Sequence, residues 1–508
     1  MKHIDDLQRA VSMIIDAGYQ LDREGFEFLK NLPEEMDIKS FIANMIERLN
    51  GDIDRPSFIS RELLEKEILR IQPFKEEELL SEGVGKTSHH PYAKDVEADI
   101  KIIKDPTKDV SAKGLLKDYV KYFQDRYRKI RKIMNGRLDA RDAGTITEAK
   151  KAPEGSEIKF ICILTDKRES KLGIFLYVED DETATRVFVP AHNHDALTKA
   201  RRLTLDAVLC IVAKKTKTGL MTAKDIIFPD IPVRKPKTAP IPVSAALISD
   251  LHIGSKMFMV KPFKRFIKWL RGELTNPHLR DLSSHVKYVI IAGDIVDGVG
   301  VYPQQIRELQ IKDICKQYKY AAKILEQIPE HIEVIIIPGN HDASRRALPQ
   351  PSIPKEYAEP LYESRQIYSL GDPSLLALHG VTMLLTHGRS LDDIISCVSG
   401  MSFRAPDEAM KLLLQYRHLA PTYGLRTLIA PEEADHLVIE TVPDIFHAGH
   451  VHMMSYSNYR GVLLVNSGAW QMQTEYQKEM GHIPNPGIVP LVNLKDLSVT
   501  VLDFATNI

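Results

Sequence analysis

The residues best suited to chemistry in this chain form five short segments rich in aspartate, asparagine and histidine. The segments are Ser-Asp-Leu-His (249–252), Gly-Asp-Ile-Val-Asp-Gly (293–298), Gly-Asn-His-Asp (339–342), Thr-His-Gly (386–388) and Gly-His-Val-His (449–452). They supply seven oxygen and nitrogen donors: Asp250, His252, Asp294, Asn340, His387, His450 and His452. Two divalent cations held about 3.5 to 4 Å apart need a bridging carboxylate, further donors and open positions for water and phosphate. The set predicts a two-metal site that hydrolyses a phosphoester, and His341 remains for proton transfer.

Each segment follows an apolar run that is typical of a buried strand. These runs cover residues 244–249, 288–292, 334–338, 383–386 and 445–446. Ligands at the carboxyl ends of such strands meet at one edge of a layered α/β sheet. A single Asp-x-His or Gly-Asp arises by chance in most chains of this size, but five segments in this order, each after a strand, do not. We therefore predict a layered α/β domain over residues 243–508.

The chain before this domain is predicted to contain a helical bundle and a β-barrel. The whole protein is therefore expected to be a multidomain protein of the α+β class. Helical periodicity over residues 1–70 predicts a helical bundle, whose function the sequence does not indicate. The polar composition of residues 71–112 predicts a flexible linker. A segment rich in proline, residues 231–242, marks the last domain boundary.

Residues 113–235 are predicted to form a basic helix followed by a β-barrel of the OB type. The helix carries lysine and arginine on its polar faces, which indicates either a solvated face or a contact with nucleic acid. About five strands and one short helix follow between residues 156 and 232, which favours a small Greek-key barrel over a sandwich. Barrels of this type commonly bind single strands, although the aromatic residues here are better explained by core packing.

Composition limits the remaining possibilities. The 508 residues carry a net charge of −1, so any nucleic-acid contact must come from local basic patches. The four cysteines are widely spaced, which argues against a zinc ribbon or a disulfide framework and favours a reducing cytoplasm. The chain begins without the apolar stretch of a signal peptide and contains no apolar run long enough for a bilayer. A cytoplasmic protein without a membrane partner is expected.

The five segments together resemble the calcineurin-like metallophosphoesterase superfamily. The resemblance implies two metal positions joined by a bridging Asp294, the first held by Asp250, His252 and His452 and the second by Asn340, His387 and His450. It also implies that a water-derived nucleophile attacks in line with the leaving oxygen. His341 would then stabilise the transition state and protonate that oxygen.

The wider surroundings of the segments are similar to the small subunits of archaeal family D DNA polymerases. The similarity rests on residues 339–351, 387–395 and 466–474, and on a barrel placed ahead of the phosphoesterase domain. It implies a 3′–5′ exonuclease that proofreads single-stranded or mismatched DNA 3′ ends for a separate large polymerase subunit. Two Mn²⁺ ions are the expected cofactors, although oxygen and imidazole donors do not exclude iron or zinc.

Three arginines flank the segments and are candidates for binding the DNA backbone: Arg345, Arg346 and Arg389. Guanidinium pairs bidentately with phosphate, but ordinary ion pairing explains such residues equally well.

Other functions remain open at this point. Eukaryotic accessory subunits that resemble this family keep the two domains, lack the metal ligands and serve as scaffolds. That resemblance leaves a catalytically silent scaffold of a replicative polymerase as the alternative, although this chain has the ligands in full. A phosphatase of the same superfamily would have no evident use for the barrel. A stand-alone repair nuclease would place the phosphoesterase domain first. No motif for DNA synthesis is present, so synthesis is assigned to another chain.

Overall fold

The structure is a computed structural model that describes residues 2–30, 38–51, 58–61, 63–64 and 90–506. The chain divides into two compact units, Met1–Val84 and Gly85–Ile508. The described residues of the first unit form three helices and a pair of short parallel strands: α1 Lys2–Asp16, β1 Gln20–Leu21, α2 Arg23–Lys30, α3 Ile38–Gly51 and β2 Phe58–Ile59. Its core includes Leu29, Phe41 and Ile42. The helical periodicity predicted the helices, whereas the strand pair was not predicted.

The second unit begins with a strand, two helices and a closed five-stranded barrel. The elements are β3 Ile100–Lys104, α4 Leu116–Asn135, α5 Ile146–Lys151, β4 Glu157–Ser170, β5 Gly173–Glu179, β6 Ala184–Pro190, α6 His194–Arg201, β7 Val208–Lys215 and β8 Met221–Ile227. The order of strands around the barrel is β4-β5-β6-β8-β7, and β7 pairs back to β4. In the chain, α6 lies between β6 and β7. The predicted barrel is confirmed.

Two six-stranded sheets follow the barrel. Eleven of their twelve strands come after the barrel, and β3 from before the barrel is the twelfth. The eleven are β9 Ser244–Ile248, β10 Val286–Ala292, β11 Glu333–Ile337, β12 Ile367–Ser369, β13 Ser374–Leu378, β14 Val381–Leu385, β15 Ile445–Ala448, β16 Ser455–Tyr459, β17 Val462–Asn466, β18 Ile488–Asn493 and β19 Val499–Asp503. The orders are β12-β11-β10-β9-β18-β19 and β16-β17-β15-β14-β13-β3. One apolar core contains side chains of both sheets, including Leu247, Ile290, Met383 and Val465. The layered α/β class is confirmed, but with two sheets where the prediction had one.

Seven further helices accompany the sheets in this described part of the chain: α7 Val260–Leu270, α8 Pro277–Ser284, α9 Ile314–Leu325, α10 Lys355–Ser364, α11 Leu391–Cys397, α12 Pro406–Tyr416 and α13 Glu475–Glu479. Most of them fill the connections that parallel neighbours such as β9, β10 and β11 require. No helix among the described residues is both long and apolar enough to cross a membrane.

The segment expected to be a flexible linker, residues 71–112, differs from the prediction over its second half. Residues 71–89 lie outside the described residues, but β3 pairs antiparallel with β13 at the edge of the second sheet. Beyond it, the backbone amides of Ser111 and Ala112 donate to the buried carboxylate of Glu432. This edge strand is only five residues long and is exposed or partly buried throughout, so it is too short to stand out within a polar stretch of sequence.

The basic helix α4 connects the barrel to the sheet domain. Arg126 is fully buried, and its Nε lies 2.8 Å from Asp435 Oδ2 of the sheet domain. Tyr127 donates its hydroxyl to the carbonyl of Ile161 in the barrel, over 3.0 Å. By contrast, Arg128 is exposed. The apolar face and Arg126 therefore serve packing, while a nucleic-acid contact of the exposed face stays a prediction.

Candidate metal centre

Five strands end where the candidate ligands begin. Asp250, Asp294 and Asn340 follow β9, β10 and β11 of one sheet, and His387 and His450 follow β14 and β15 of the other. The site therefore lies where the carboxyl ends of these strands, three from one sheet and two from the other, meet. The close approach requires glycine, since a Cβ at Gly339 would lie 2.1 Å from Asp294 Oδ1.

The first group of side chains consists of Asp250, His252 and His452. His452 Nε2 lies 3.3 Å from Asp250 Oδ1 and 3.1 Å from His252 Nε2. His252 Nε2 is also 3.8 Å from both Asp250 Oδ1 and Asp294 Oδ2. Three potential ligand atoms thus converge within the span of one cation's coordination shell.

The second group consists of Asp294, His387 and Asn340. His387 Nε2 lies 3.2 Å from Asp294 Oδ2 and 3.1 Å from Asn340 Oδ1. Asp294 Oδ2 therefore lies near an imidazole of each group, which is the position that a bridging carboxylate needs. The other ring nitrogen of His387 donates to the carbonyl of Ala292 over 2.8 Å, which fixes Nε2 as the free ligand atom.

His450 is oriented differently from the other histidines. Its ring stands 5.1 Å from that of His387, centroid to centroid, but its Nε2 lies 3.1 Å from Asp392 Oδ2. Its backbone amide donates to Asp250 Oδ2 over 2.9 Å. His450 thus lies beside the second group while its Nε2 is engaged by a carboxylate.

The donor set suits divalent cations, and a buried carboxylate oxygen of Asp250 is consistent with this. Asp250 is fully buried, and its Oδ1 accepts no well-formed hydrogen bond although His452 Nε2 lies 3.3 Å away; an ion between the two atoms would explain this arrangement. Burial disfavours the charged form of His252 and His387, yet the neighbouring carboxylates outweigh it and raise the pKa of each to about 10. The carboxylates thus favour positive charge at this place, which a divalent cation would supply in place of protons on the rings.

A second set of groups holds the ligands in place. Asp297 Oδ1 lies 2.9 Å from His252 Nδ1 and accepts from the side chain of Gln471 over the same distance. The backbone carbonyl of Asp297 accepts from His341 Nδ1 over 2.7 Å. His341 Nε2 is then left 3.9 Å from Asp294 Oδ2, on the lining of the cleft. One residue therefore orients both a candidate ligand and the candidate acid.

The centre opens into a cleft of about 310 Å³. Arg346 and Arg389 line this cleft, and Arg389 Nη1 donates to the carbonyl of Arg346 over 2.9 Å. Arg345 does not line it. Its Nη1 lies 2.7 Å from the buried Glu432, and its other donors bond to backbone carbonyls. The structure thus separates two adjacent arginines that the sequence treated alike.

Sequence reasoning missed several residues that line the cleft: Tyr302, Asp392, Arg426, Tyr476 and Gln477. Asp392 offered a signal, since it lies in the first turn of a helix directly after the Thr-His-Gly segment. Gln477 Nε2 lies 2.9 Å from His452 Nδ1, but no spacing in the sequence links these two positions.

The part of the chain that carries the candidate ligands matches a known protein family. Residues 245–457, which carry the candidate ligands, match the family described as the B subunits of DNA polymerases alpha and epsilon. An archaeal phosphodiesterase of known structure is 16% identical and covers 51% of this chain and 99% of its own, at a TM-score of 0.25. That structural likeness is too partial to bear on function.

Longer matches come from curated proteins called DNA polymerase II small subunit. The Pyrococcus horikoshii protein is 39% identical over 82% of this chain and 68% of its own length. The Pyrococcus furiosus protein is 40% identical over 77% and 64%. The Methanothermobacter thermautotrophicus protein is 40% identical over 78% and 81%. The matched region thus spans between 64% and 81% of these relatives, and the chain belongs to the DNA polymerase II small subunit family.

Proposed function

We propose that this chain is a 3′–5′ exonuclease that hydrolyses the terminal phosphodiester of DNA with two metal ions. In this proposal it also serves as the scaffold for a large polymerase subunit in DNA replication. The observation that carries the proposal is the buried cluster around Asp294, in which carboxylates and imidazoles from two sheets converge beside an unsatisfied Asp250 Oδ1. The name of the related small subunits supports the polymerase context.

The ligand roles follow the two groups of side chains. Asp250, His252 and His452 would hold one ion, and the second would take three ligands, namely Asn340, His387 and His450. Asp294 would bridge both, and Mn²⁺ suits this mixture of oxygen and imidazole donors. When bound, the two ions would supply Lewis-acid charge and lower the pKa of a water molecule.

The remaining residues act on the substrate itself. Arg346 and Arg389 would bind phosphate groups, since both line the cleft and guanidinium matches phosphate oxygens. His341 Nε2 would carry the proton that the leaving oxygen takes. Its Nδ1 is already held by the carbonyl of Asp297, which keeps Nε2 at the cleft.

The test of activity uses a primer with a mismatched 3′ end, a radiolabel at its 5′ end, and Mn²⁺. Wild-type protein should shorten the primer stepwise, and Asp294→Ala should abolish this. A phosphopeptide offered under the same conditions should remain intact, which excludes a protein phosphatase. An uncut primer, with wild type and Asp294→Ala behaving alike, would refute the nuclease.

A second comparison tests the assigned roles. His387→Ala should lose metal, whereas His341→Ala should keep both ions and slow cleavage about 10²- to 10⁴-fold, the usual contribution of a general acid. Elemental analysis after dialysis measures the first effect, and single-turnover cleavage measures the second. Equal metal loss in both variants would show that His341 is a ligand.

The alternative is a catalytically silent scaffold of a replicative polymerase. Both proposals expect a large polymerase subunit to co-purify with the chain from native cells, and mass spectrometry of the complex identifies it. Only the active enzyme loses a function of the complex when Asp294 is replaced by Ala. Unchanged editing by that complex would favour the scaffold.

A further inference from the structure

Two tyrosine rings stack on each other in the wall of the cleft. The centroids of Tyr302 and Tyr476 are 5.2 Å apart and their planes differ by 26°. Tyr302 lies in the loop after β10, and Tyr476 lies on α13 near the end of the chain. Neither residue has a part in metal binding or proton transfer as proposed above.

The pair ends a row of rings that begins at the metal centre. His252 and His341 are 4.6 Å apart between centroids, and His341 and Tyr302 are 6.2 Å apart. Tyr476 follows as the outermost ring, and 44% of its surface is exposed. An aromatic surface therefore extends from the candidate acid to the solvent.

Both segments that carry the tyrosines are fixed to each other by Glu308. Its Oε2 accepts from the hydroxyl of Tyr302 over 2.6 Å, and its Oε1 accepts from the backbone amide of Glu475 over 3.2 Å. Glu308 thus connects the two segments that carry the rings, while Tyr476 stays partly exposed.

The same segments are also bonded to a candidate ligand, His452, and to Asp297, which orients another. Gln305, in the loop of Tyr302, donates to the carbonyl of Asp297 over 2.7 Å. Gln477, in the helix of Tyr476, belongs to a capping box with Thr474 and contacts His452. The stacked rings thus have a defined position relative to the metal centre, as a substrate subsite needs.

We propose that the Tyr302–Tyr476 stack receives an unpaired nucleobase at the 3′ end of a DNA strand. This inference rests on the proposed nuclease and defines its substrate as a frayed or single-stranded end. An exposed tyrosine face binds any base by stacking, while Arg346 and Arg389 would hold the adjoining phosphates. A paired 3′-terminal base is held by hydrogen bonds to the opposite strand and by stacking on one neighbour, so it enters the cleft and reaches the stack only when the end opens.

The test compares two single-stranded oligonucleotides that differ only at the 3′-terminal position, which carries either a nucleobase or an abasic residue. Wild type should cleave the end with the base at a kcat/KM roughly tenfold higher, since stacking on an aromatic ring contributes to the binding of each base. Tyr476→Leu should lose this preference while it cleaves the abasic end as wild type does. Tyr476→Phe, which keeps the ring, should retain the preference.

Tyr357→Leu is the matched control, because Tyr357 is 40% exposed and lies on α10, outside the lining of the cleft. This variant should behave as wild type on both substrates. A role of the stacked rings in packing alone would lower the unfolding temperature and slow cleavage of both substrates equally. That result, or an unchanged base preference in Tyr476→Leu, would overturn the inference.

Failure of the proposed nuclease is recognised separately, because wild type would then cut neither oligonucleotide. Stacking is in that case measured by the fluorescence of 2-aminopurine placed at the 3′ end. Quenching by wild type and Tyr476→Phe, but not by Tyr476→Leu, would support the subsite even without cleavage. Equal fluorescence with all three proteins would refute it.

Discussion

Arg126 offers the sharpest test of how the barrel is joined to the sheet domain. Its guanidinium is fully buried and makes three close hydrogen bonds, to Asp435 Oδ2 at 2.8 Å, to the carbonyl of Pro421 at 2.5 Å and to the hydroxyl of Tyr122 at 2.9 Å. Arg126→Met keeps much of the apolar stem but leaves Asp435 as a buried charge without its cation. Breaking a buried pair on one side costs about 3 to 5 kcal/mol.

This loss corresponds to a decrease of roughly 6 to 10 °C in the unfolding temperature, since large domains shift by about 2 °C per kcal/mol. Differential scanning calorimetry of the full chain measures it. Arg128→Met is the matched control on the same helix, because its exposed pair with Asp125 contributes at most about 1 kcal/mol. Equal shifts for the two variants would refute the assignment of Arg126 to packing.

Three further outcomes are expected. Burial and the nearby Arg126 lower the pKa of His418 in the folded protein to about 4, although Asp435 acts in the opposite direction. In the unfolded chain the same imidazole becomes protonated below about pH 6.5. Stability should therefore fall by about 3 kcal/mol between pH 6.5 and 4, and urea midpoints of wild type and His418→Gln compare the slopes. Arg389→Ala should raise KM for DNA about tenfold or more at an unchanged unfolding temperature. Arg345→Ala should instead destabilise the fold by about 3 kcal/mol, because it leaves Glu432 without its cation. Steady-state kinetics measures the first effect and calorimetry the second. Excess Mn²⁺ at about 100 times its dissociation constant should stabilise wild type by about 2.7 kcal/mol in thermal unfolding, and Asp294→Ala should respond less.

The positions of the candidate ligands could be predicted because each follows an apolar strand. A run such as 288–292 before Gly293 and Asp294 gives both the strand and the place where the chain leaves it. The division of these strands between two sheets could not be predicted, since apolar periodicity shows that a strand is buried but not which strand it pairs with. The site was therefore expected at the edge of one sheet, although it lies where two meet.

Local sequence also failed where neighbours decide a residue's role. Arg345 and Arg346 are adjacent and identical in type, yet one bonds to Glu432 and the other lines the cleft. The direction of each side chain depends on the turn after Asn340 and on a carboxylate far away in the chain. Tyr302 and Tyr476 meet only through tertiary packing, so no spacing could have linked them.

Backbone conformation gives a physical reason to expect a bound ligand at the candidate centre. Five of the seven candidate ligands have a left-handed backbone, with φ values between 50° and 70°: Asp250, His252, Asp294, His450 and His452. Non-glycine residues in that region each cost about 1 to 3 kcal/mol. Neighbouring backbone bonds enforce the strain; for example, the amide of Asp250 donates to the carbonyl of Gly293 over 3.0 Å. Glycine would relieve it at any of these positions if only packing mattered. The chain instead keeps aspartate and histidine there, which is understandable if their side chains bind a ligand whose affinity offsets the strain.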